Sequence, residues 1–241
     1  MAECIHGFEG TLCDSCFPKT PVEKPKATRA AATPRRTAGS TTRKSLVTAD
    51  LRVYHVTHIR NLPAIIEAGE LRADSRPLVD LSSELTRELR ETAEVSPGRS
   101  VSAHVPFFLA PDSNAWHELR RGASEPRWSA AARAAASGDF VFLVTTIRAL
   151  GDDVVVADGD AAGTYTRFAG QGESSRMLER LHGDEAARQG AEVLAWGTVD
   201  FDSVQLIGVA NDPVRDVVKN HLADSGFSPK VAVYPPWFQT E

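Results

Sequence analysis

Apolar and β-branched runs cluster after residue 45, and they do not alternate regularly with helical segments. This clustering limits the folds that the chain can adopt. Strands are predicted at 51–59, 105–110, 140–147, 191–199, 204–210 and 230–235. One helix is predicted to begin at Asn61 and end at Gly69, and another to begin at Asp212 and end near Gly226. A doubly wound parallel sheet needs a helix between successive strands, so this order predicts an α+β fold instead.

Motifs of several common enzyme folds are missing from the sequence. Gly170 and Gly172 begin a G-x-G pair, but residue 175 is Ser and no predicted strand precedes the pair, so it is no Rossmann fingerprint. The sequence also contains no G-x-x-x-x-G-K-[ST], G-x-S-x-G or H-E-x-x-H motif. Rossmann dehydrogenases, P-loop enzymes and common serine hydrolases are therefore disfavoured.

The composition is that of a globular protein. The 241 residues are 42% apolar and 24% charged, enough for one full-sized domain and an additional segment. No run of eighteen apolar residues and no signal-peptide core is present, so we expect a soluble, cytoplasmic protein. Residues 73–100 and 148–190 are long, polar and weakly patterned, which is typical of functional loops or lids.

All three cysteines lie near the N-terminus, in the spacing C-x-H-x6-C-x2-C. Three thiolates and one imidazole form a complete tetrahedral set for a structural zinc ion. The predicted ligands are Cys4, His6, Cys13 and Cys16. The alternative is a tail with incidental cysteines. On the first interpretation residues 1–18 form a zinc knuckle.

Residues 19–45 carry eight Lys or Arg and one acidic residue, a net charge of +7 within a chain of net charge −5. They are rich in Pro, Thr, Ala and Ser, so they cannot bury enough apolar surface to fold. We expect a flexible basic linker, which acts either as a solubilising tether or as a contact for nucleic-acid phosphates. Residues 46–241 then form the main domain.

Several polar residues lie within apolar strands and are candidate functional groups. Glu192 begins the run EVLAW, where a carboxylate is costly unless it is paired or faces a cleft. A solvated strand end is the alternative interpretation of Glu192. His55 and His58 lie in the first predicted strand, where a histidine is either a satisfied core or surface group or a site residue.

Four strings occur in an order and spacing that resemble one enzyme family. They are RVYHVTHIRNLPAIIEAGEL, VPFFLAPDS, DGDAAGTYTRF and RQGAEVLAW. Over residues 51–240 the sequence resembles the DarT family of NAD-dependent DNA ADP-ribosyltransferases, which are toxins usually paired with a macrodomain antitoxin. The resemblance implies an ADP-ribosyltransferase fold, in which a split β-sheet holds NAD in a bent conformation.

The resemblance also implies the catalytic residues. Glu192 matches the catalytic glutamate, although Gly190 stands where the family usually has Gln. Arg87 is the best match for the arginine of the family, and Arg90 is the alternative. Asp112 stands where many relatives have a basic residue, and Arg167 precedes the loop expected to meet the acceptor.

The NAD-binding residues implied by the resemblance lie on the first strand, the following helix start and the second string. They are His55, Thr57, His58, Asn61 and Phe107, with Phe108 next to Phe107 beside the nicotinamide.

The expected reaction releases nicotinamide from NAD and transfers ADP-ribose to a nucleic-acid base, most favourably in single-stranded DNA, where the base is already accessible. A carboxylate stabilises the positive charge that develops on the ribose, and no metal is needed for this step. Two alternatives remain open: ADP-ribosylation of RNA or protein, and a binding module that has lost catalysis.

Overall fold

The computed structural model describes residues 46–239. Its strands are β1 (Arg52–His58), β2 (Glu70–Arg72), β3 (Glu94–Ser96), β4 (Arg99–Ser100), β5 (His104–Phe108), β6 (Phe140–Thr146), β7 (Val154–Ala157), β8 (Phe168–Ala169), β9 (Glu192–Trp196), β10 (Thr198–Asp200), β11 (Leu206–Val209) and β12 (Lys230–Val233). Its α-helices are α1 (Leu62–Ala68), α2 (Glu84–Thr92), α3 (Asn114–Arg120), α4 (Ala130–Ala134), α5 (Ser174–His182), α6 (Glu185–Gly190), α7 (Asp212–Leu222) and α8 (Pro235–Phe238).

Eight strands form the main sheet, in the order β12-β11-β6-β1-β5-β9-β7-β8. β1 pairs with β6 at seven positions but with β5 only at Tyr54 and Phe108. The sheet therefore consists of two four-stranded halves that meet at one pair of residues. A side-chain contact also crosses this junction, because His55 Nδ1 lies 2.9 Å from the Pro106 carbonyl oxygen. This mixed architecture confirms the predicted α+β class.

The main sheet is covered on both faces. Alternate residues of a strand point to opposite faces, so Val53 of β1 and Val193 of β9 pack in one cluster with helices α1, α5 and α7. Val56 packs on the other face with Trp116 of α3 and the C-terminal Phe238. A third, smaller cluster on this second face includes Leu194 of β9 and Ala157 of β7.

Glycine sets two of the element boundaries. Gly69 has φ 72° and ends α1 as predicted, because the left-handed conformation that closes the helix is accessible to glycine. Gly197 has φ 69° and lies between β9 and β10, so the single strand predicted at 191–199 is two strands. The helix that begins at Asp212 ends at Leu222, four residues before Gly226.

The two segments predicted to be long loops contain regular structure. Residues 73–100 include α2, β3 and β4, and residues 148–190 include β7, β8, α5 and α6. The strand β7 is buried in the sheet and pairs with β9. Within residues 46–239, no helix is long and apolar enough to cross a membrane.

Candidate active site

A row of paired residues crosses one face of the sheet. Tyr54 of β1 pairs with Phe108 of β5, which in turn pairs with Glu192 of β9. Glu192 pairs on its other side with Ala157 at the end of β7. Directly paired residues project from the same face, so the three side chains lie side by side across the junction between the two halves.

The carboxylate of Glu192 is buried, with 5% of the residue exposed, and both of its oxygens are engaged. Its Oε2 accepts hydrogen bonds from Nη1 and Nη2 of Arg90, each at 3.2 Å. Its Oε1 accepts a hydrogen bond of 2.9 Å from the backbone N–H of Ala161. A buried carboxylate is tolerated when it is paired and hydrogen-bonded, and here one guanidinium and one amide meet that need. We call Glu192, Arg90 and the Ala161 N–H the carboxylate cluster.

Arg90 reaches Glu192 because α2 is fixed at its N-terminus. The hydroxyl of Ser83 caps the helix by accepting a hydrogen bond from the N–H of Thr86. The Thr86 hydroxyl then donates to the backbone carbonyl of Arg127 at 2.9 Å. The Arg90 side chain is 16% exposed, so its ion pair with Glu192 is well shielded from water.

Glu192 opens onto a cavity of about 200 Å³, which we call the Glu192 cavity. Its lining residues come from β5, α3, the segment before α4, the loop after β7, α6 and β9: Phe108, Asn114, Ala115, Glu118, Arg127, Asp160, Gln189, Gly190 and Glu192. The guanidinium of Arg127 pairs with both Glu118 and Asp160 and lies 4.7 Å from the centre of the Trp128 ring. Arg127 therefore links α3 to the loop that supplies the Ala161 N–H.

That loop, residues 158–167, is ordered by its own hydrogen bonds. The carbonyl of Asp160 accepts from the N–H of Gly163 and from the hydroxyl of Thr166. A Cβ on Gly163 would lie 2.9 Å from the Thr166 hydroxyl, so the turn is too tight for a side chain there. Arg167 pairs with Asp158 at 2.8 Å, and Tyr165 is 95% exposed at the tip.

Asp158 at the base of this loop is held ionised. Burial acts to raise its pKa, but the backbone N–H and the guanidinium of Arg167 lower the pKa overall. The loop is thus fixed at both ends beside Glu192.

The predicted residues of the first strand form a second polar group on and beside β1. Asn61 Nδ2 donates to the hydroxyl of Thr57 at 3.1 Å and to the carbonyl of Val79 at 2.9 Å. Its Oδ1 accepts from the Val79 N–H at 2.8 Å. We call Thr57, Asn61 and the Val79 backbone the amide cluster. Both side chains are buried, and the amide uses its oxygen and both donors inside the protein.

His55 and His58 lie on opposite faces of β1. Burial lowers the pKa of His55, and its contact with the Pro106 carbonyl acts in the opposite sense. Burial also lowers the pKa of His58, whose Nδ1 accepts from the N–H of Arg60. Both imidazoles are therefore favoured in the neutral form.

The structure separates the residues of two predicted pairs. Phe107 is 1% exposed and packs in the cluster with Val53, on the face opposite Glu192, whereas Phe108 borders the Glu192 cavity. Arg87 pairs at the surface with Asp80 at 2.8 Å, whereas Arg90 contacts Glu192. Phe108 rather than Phe107 therefore borders the cavity, and Arg90 rather than Arg87 contacts Glu192.

The structure brings in groups that sequence reasoning missed. Arg127 and Asp160 line the cavity, and the Ala161 N–H binds Glu192. Two residues that depart from the family pattern also lie here. Asp112 accepts a hydrogen bond from Gln189, and Gly190 lines the cavity with no side chain. Asp160 and Ala161 lie in the string DGDAAGTYTRF, but a backbone donor leaves no signal in residue types. The sequence around Arg127 also contains no pattern that distinguishes this residue from a surface arginine.

The predicted zinc ligands Cys4, His6, Cys13 and Cys16 and the basic linker lie outside the described residues. Within residues 46–239, no group of three or more His, Cys, Asp or Glu is placed to hold a metal ion.

Comparison with known proteins connects this chain to one family. The model of the family described as "ssDNA thymidine ADP-ribosyltransferase, DarT" matches residues 54–239. A "DNA ADP-ribosyl transferase" of Mycobacterium tuberculosis is 29% identical over 212 residues, covering 77% of this chain and 88% of that protein.

Two solved structures share the fold. One is titled "Thermus sp. 2.9 DarT in complex with ADP-ribosylated ssDNA", with a TM-score of 0.67 and 22% identity, covering 79% of this chain and 97% of that one. The other is "Thermus sp. 2.9 DarT in complex with NAD+", with a TM-score of 0.64 and 23% identity, covering 79% and 98%.

Proposed function

The chain belongs to the DarT family of ssDNA thymidine ADP-ribosyltransferases, and we propose that it transfers ADP-ribose from NAD to a thymidine base at the Glu192 cavity. The observation that carries this placement is the carboxylate cluster. A buried carboxylate with fixed orientation borders a cavity at the junction of the two sheet halves, which suits a reaction that develops positive charge on a ribose.

The transfer breaks one bond and forms another at the same carbon. The bond between the ribose C1′ and the nicotinamide nitrogen breaks, and nicotinamide leaves with the electron pair. The ring nitrogen of thymine that carries hydrogen attacks C1′ and loses its proton. Glu192 can stabilise the positive charge on the ribose and hold a ribose hydroxyl, and it can assist removal of the acceptor proton.

We assign the arginine role to Arg90 rather than to Arg87. Its guanidinium lies on Glu192 with two donors on one oxygen, which fixes the carboxylate while leaving the cavity side accessible. A planar guanidinium also suits oxygen-rich groups such as phosphate better than an ammonium does. Phe108, next to Glu192 in the same row and at the cavity, would pack on the nicotinamide.

The amide cluster supports NAD binding indirectly. Asn61 joins the first strand to Val79, so it fixes the end of β1 and the segment that leads into α2. His55 contacts Pro106 across the junction of the sheet halves. On this view His55, Thr57, His58 and Asn61 shape the strand that NAD lies against.

The acceptor enters beside the loop 158–167, which touches Glu192 through Ala161 and exposes Tyr165. Chemistry on a base requires that the base leave its stack, and single-stranded DNA meets this at the lowest cost. Modified template bases block replication, which accounts for a role as the toxin of a toxin–antitoxin pair. Because DarT toxins are usually paired with a macrodomain antitoxin, the proposed antitoxin is a macrodomain protein that binds ADP-ribose.

The N-terminal segments are assigned from sequence alone. Cys4, His6, Cys13 and Cys16 supply three thiolates and one imidazole, a donor set that suits structural zinc. The basic residues of 19–45 would contact DNA phosphates without sequence preference.

A transfer assay with NAD labelled in the adenylate part tests the function. The wild-type chain is incubated with separate pools of single-stranded DNA with thymidine, single-stranded DNA without thymidine, duplex DNA, RNA and protein. We expect label in the first pool alone, with nicotinamide released in equal amount. Label in RNA or protein would show a different acceptor, and absence of label in every pool would favour a binding module.

A further inference from the structure

A second cavity, of about 270 Å³, lies next to the Glu192 cavity and is not used by the reaction described above. Its lining residues come from the segment before β1, from β1, from the residue after β5, and from α5 and α6: Asp50, Leu51, Arg52, Tyr54, Leu109, Leu178, His182 and Arg188. We call it the Arg188 cavity. Two of its residues are arginines, and its one acid, Asp50, accepts hydrogen bonds from Arg148 at 2.7 and 3.1 Å.

The two arginines have no acidic partner among residues 46–239. Most other arginines of this part of the chain are paired, as Arg99 is with Asp153 and Arg215 with Asp212. Arg52 makes no ion pair there, and the Nε of Arg188 is buried without a hydrogen-bond partner. A buried guanidinium nitrogen without a partner costs free energy, which an anionic ligand would recover.

Arg52 and Arg188 line the same cavity as the hydroxyl-bearing side chain of Tyr54. Burial raises the pKa of its hydroxyl, while Arg52 and Arg188 both act to lower it. Asp112 and Tyr234 also act on this hydroxyl, and both raise its pKa. Asp112 accepts a hydrogen bond from Gln189, and among residues 46–239 it forms no ion pair with either arginine.

The position relates this cavity to the reaction. Helix α6 contributes Arg188 to the Arg188 cavity and Gln189 and Gly190 to the Glu192 cavity. Tyr54 is likewise the strand partner of Phe108, which lines the Glu192 cavity. The two cavities therefore adjoin, and a ligand that extends from one would reach the other.

We propose that the Arg188 cavity is a phosphate-binding subsite, in which Arg52 and Arg188 bind a phosphate group of a substrate whose reacting end lies at Glu192. The ligand chemistry is a phosphate ester or anhydride, which the fork of a guanidinium binds with two parallel hydrogen bonds. Two substrates of the proposed function carry such a group: the phosphodiester backbone of the DNA acceptor and the pyrophosphate of NAD. The role in turnover rests on the proposed function, but phosphate binding itself does not.

The test uses the full chain with Arg52→Gln, Arg188→Gln and the double variant. Arg215→Gln is the matched control, because it removes one positive charge from α7 and Arg215 pairs with Asp212 and Asp216 away from both cavities. Arg188→Lys keeps the charge but loses the fork. Far-ultraviolet circular dichroism checks that each variant is folded. We expect Arg52→Gln to fold, because Arg52 is exposed and makes no ion pair among residues 46–239.

Calorimetric titration with inorganic pyrophosphate measures the site without catalysis. We expect at least ~10-fold weaker binding in the double variant, less weakening in Arg188→Lys and no change in Arg215→Gln, since each pair of charge-assisted hydrogen bonds contributes on the order of that factor. Two further measurements identify the source of the phosphate. Fluorescence anisotropy gives the affinity for single-stranded DNA over a series of salt concentrations, and initial rates give the KM for NAD.

If the phosphate belongs to DNA, the double variant binds DNA more weakly and the KM for NAD stays constant. The slope of log K for DNA binding against log salt concentration then falls in magnitude by about 0.7 for each phosphate that is no longer neutralised. If it belongs to NAD, the KM for NAD rises and DNA binding is unchanged. Either result supports the subsite. Binding of pyrophosphate, DNA and NAD by the double variant as tight as by Arg215→Gln would overturn it. Pyrophosphate binding that depends on both arginines, without transfer to DNA, would refute the proposed function and leave the subsite standing.

Discussion

The amide cluster and the carboxylate cluster are both buried and polar, but they differ in what their hydrogen bonds leave open. Asn61 satisfies its amide on Thr57 and on the Val79 backbone, and it borders neither cavity described above. Glu192 is held by Arg90 and Ala161 at the edge of a cavity that other polar groups also line. The first arrangement closes on itself, and the second faces a space that a substrate can enter.

Burial of a polar residue therefore does not by itself identify a functional group. A buried polar side chain that is fully satisfied within the fold contributes to structure, and its removal leaves partners unpaired. One that is oriented toward a cavity can act on a ligand. We therefore expect changes in the amide cluster to affect stability first and changes in the carboxylate cluster to affect transfer first.

Among the residues around Glu192, the largest effect is expected to separate the two candidate arginines. Arg90→Lys should lower the transfer rate by about 10²- to 10³-fold, because it removes a guanidinium that fixes the catalytic carboxylate. Arg87→Lys should change the rate by less than ~3-fold, since Arg87 pairs with Asp80 at the surface. Initial rates of label transfer to single-stranded DNA measure both variants.

Thermal unfolding of both proteins serves as the control for folding. If Arg87→Lys loses the activity and Arg90→Lys keeps it, the assignment of Arg90 to the carboxylate cluster is refuted.

The next effect falls on stability. Asn61→Ala should lower the free energy of unfolding by ~2–4 kcal/mol, because the buried N–H and C=O of Val79 and the Thr57 hydroxyl lose their partners. Urea denaturation measures the change. Asn220→Ala, at an exposed position of α7, should stay within ~0.5 kcal/mol of the wild type. An Asn61→Ala protein that is as stable as the wild type but has lost NAD binding would make Asn61 a ligand-binding residue instead.

This contrast also marks how much of the molecule could be predicted from sequence. Strands such as β1 and β6 follow from long apolar runs, and α1 follows from its apolar face and from Gly69. The strand β7 is missed because its apolar run is confined to residues 154–157 within a polar stretch, whereas the run that predicts β11 spans 204–210. The helix α2 is missed because it buries no residue. Glu192 stands out, since a carboxylate in an apolar run is conspicuous. The choice of Arg90 over Arg87 depends on which side of α2 faces β9, which the sequence alone does not fix.

The pH dependence of stability tests the buried histidines. Burial lowers the pKa values of His55, His58 and His104 below 6.5, so below that pH the unfolded chain takes up protons that the folded chain does not. The free energy of unfolding should therefore fall as the pH is lowered from about 7.5 to 5.5, by up to about 1.4 kcal/mol per pH unit for each proton. Urea denaturation across this range should give a shallower slope for His55→Gln than for the wild type. Stability that is constant or rises on acidification would contradict the effect of burial.

The smallest effect on transfer is expected from the knuckle proposed at residues 1–18, which belongs to neither cluster. The purified chain should carry about one equivalent of zinc, and Cys13→Ser with Cys16→Ser should release it, because two ligands no longer close the site. Cleavage of NAD should persist in this variant, while capture of single-stranded DNA weakens, most clearly above physiological salt. Metal analysis and both assays check this. Zinc-free wild-type protein would make residues 1–18 a simple tail, and loss of NAD cleavage with the metal would mean that the knuckle supports the catalytic domain.

The proposed function requires the negative charge of the Glu192 carboxylate during the transfer. Glu192→Gln keeps the shape and an oxygen that can accept from the Ala161 N–H, but it removes the charge. Transfer from labelled NAD to single-stranded DNA with thymidine, measured beside the wild type with both proteins shown to be folded, should fall by about 10²- to 10⁴-fold. Transfer at the wild-type rate by folded Glu192→Gln would contradict the account.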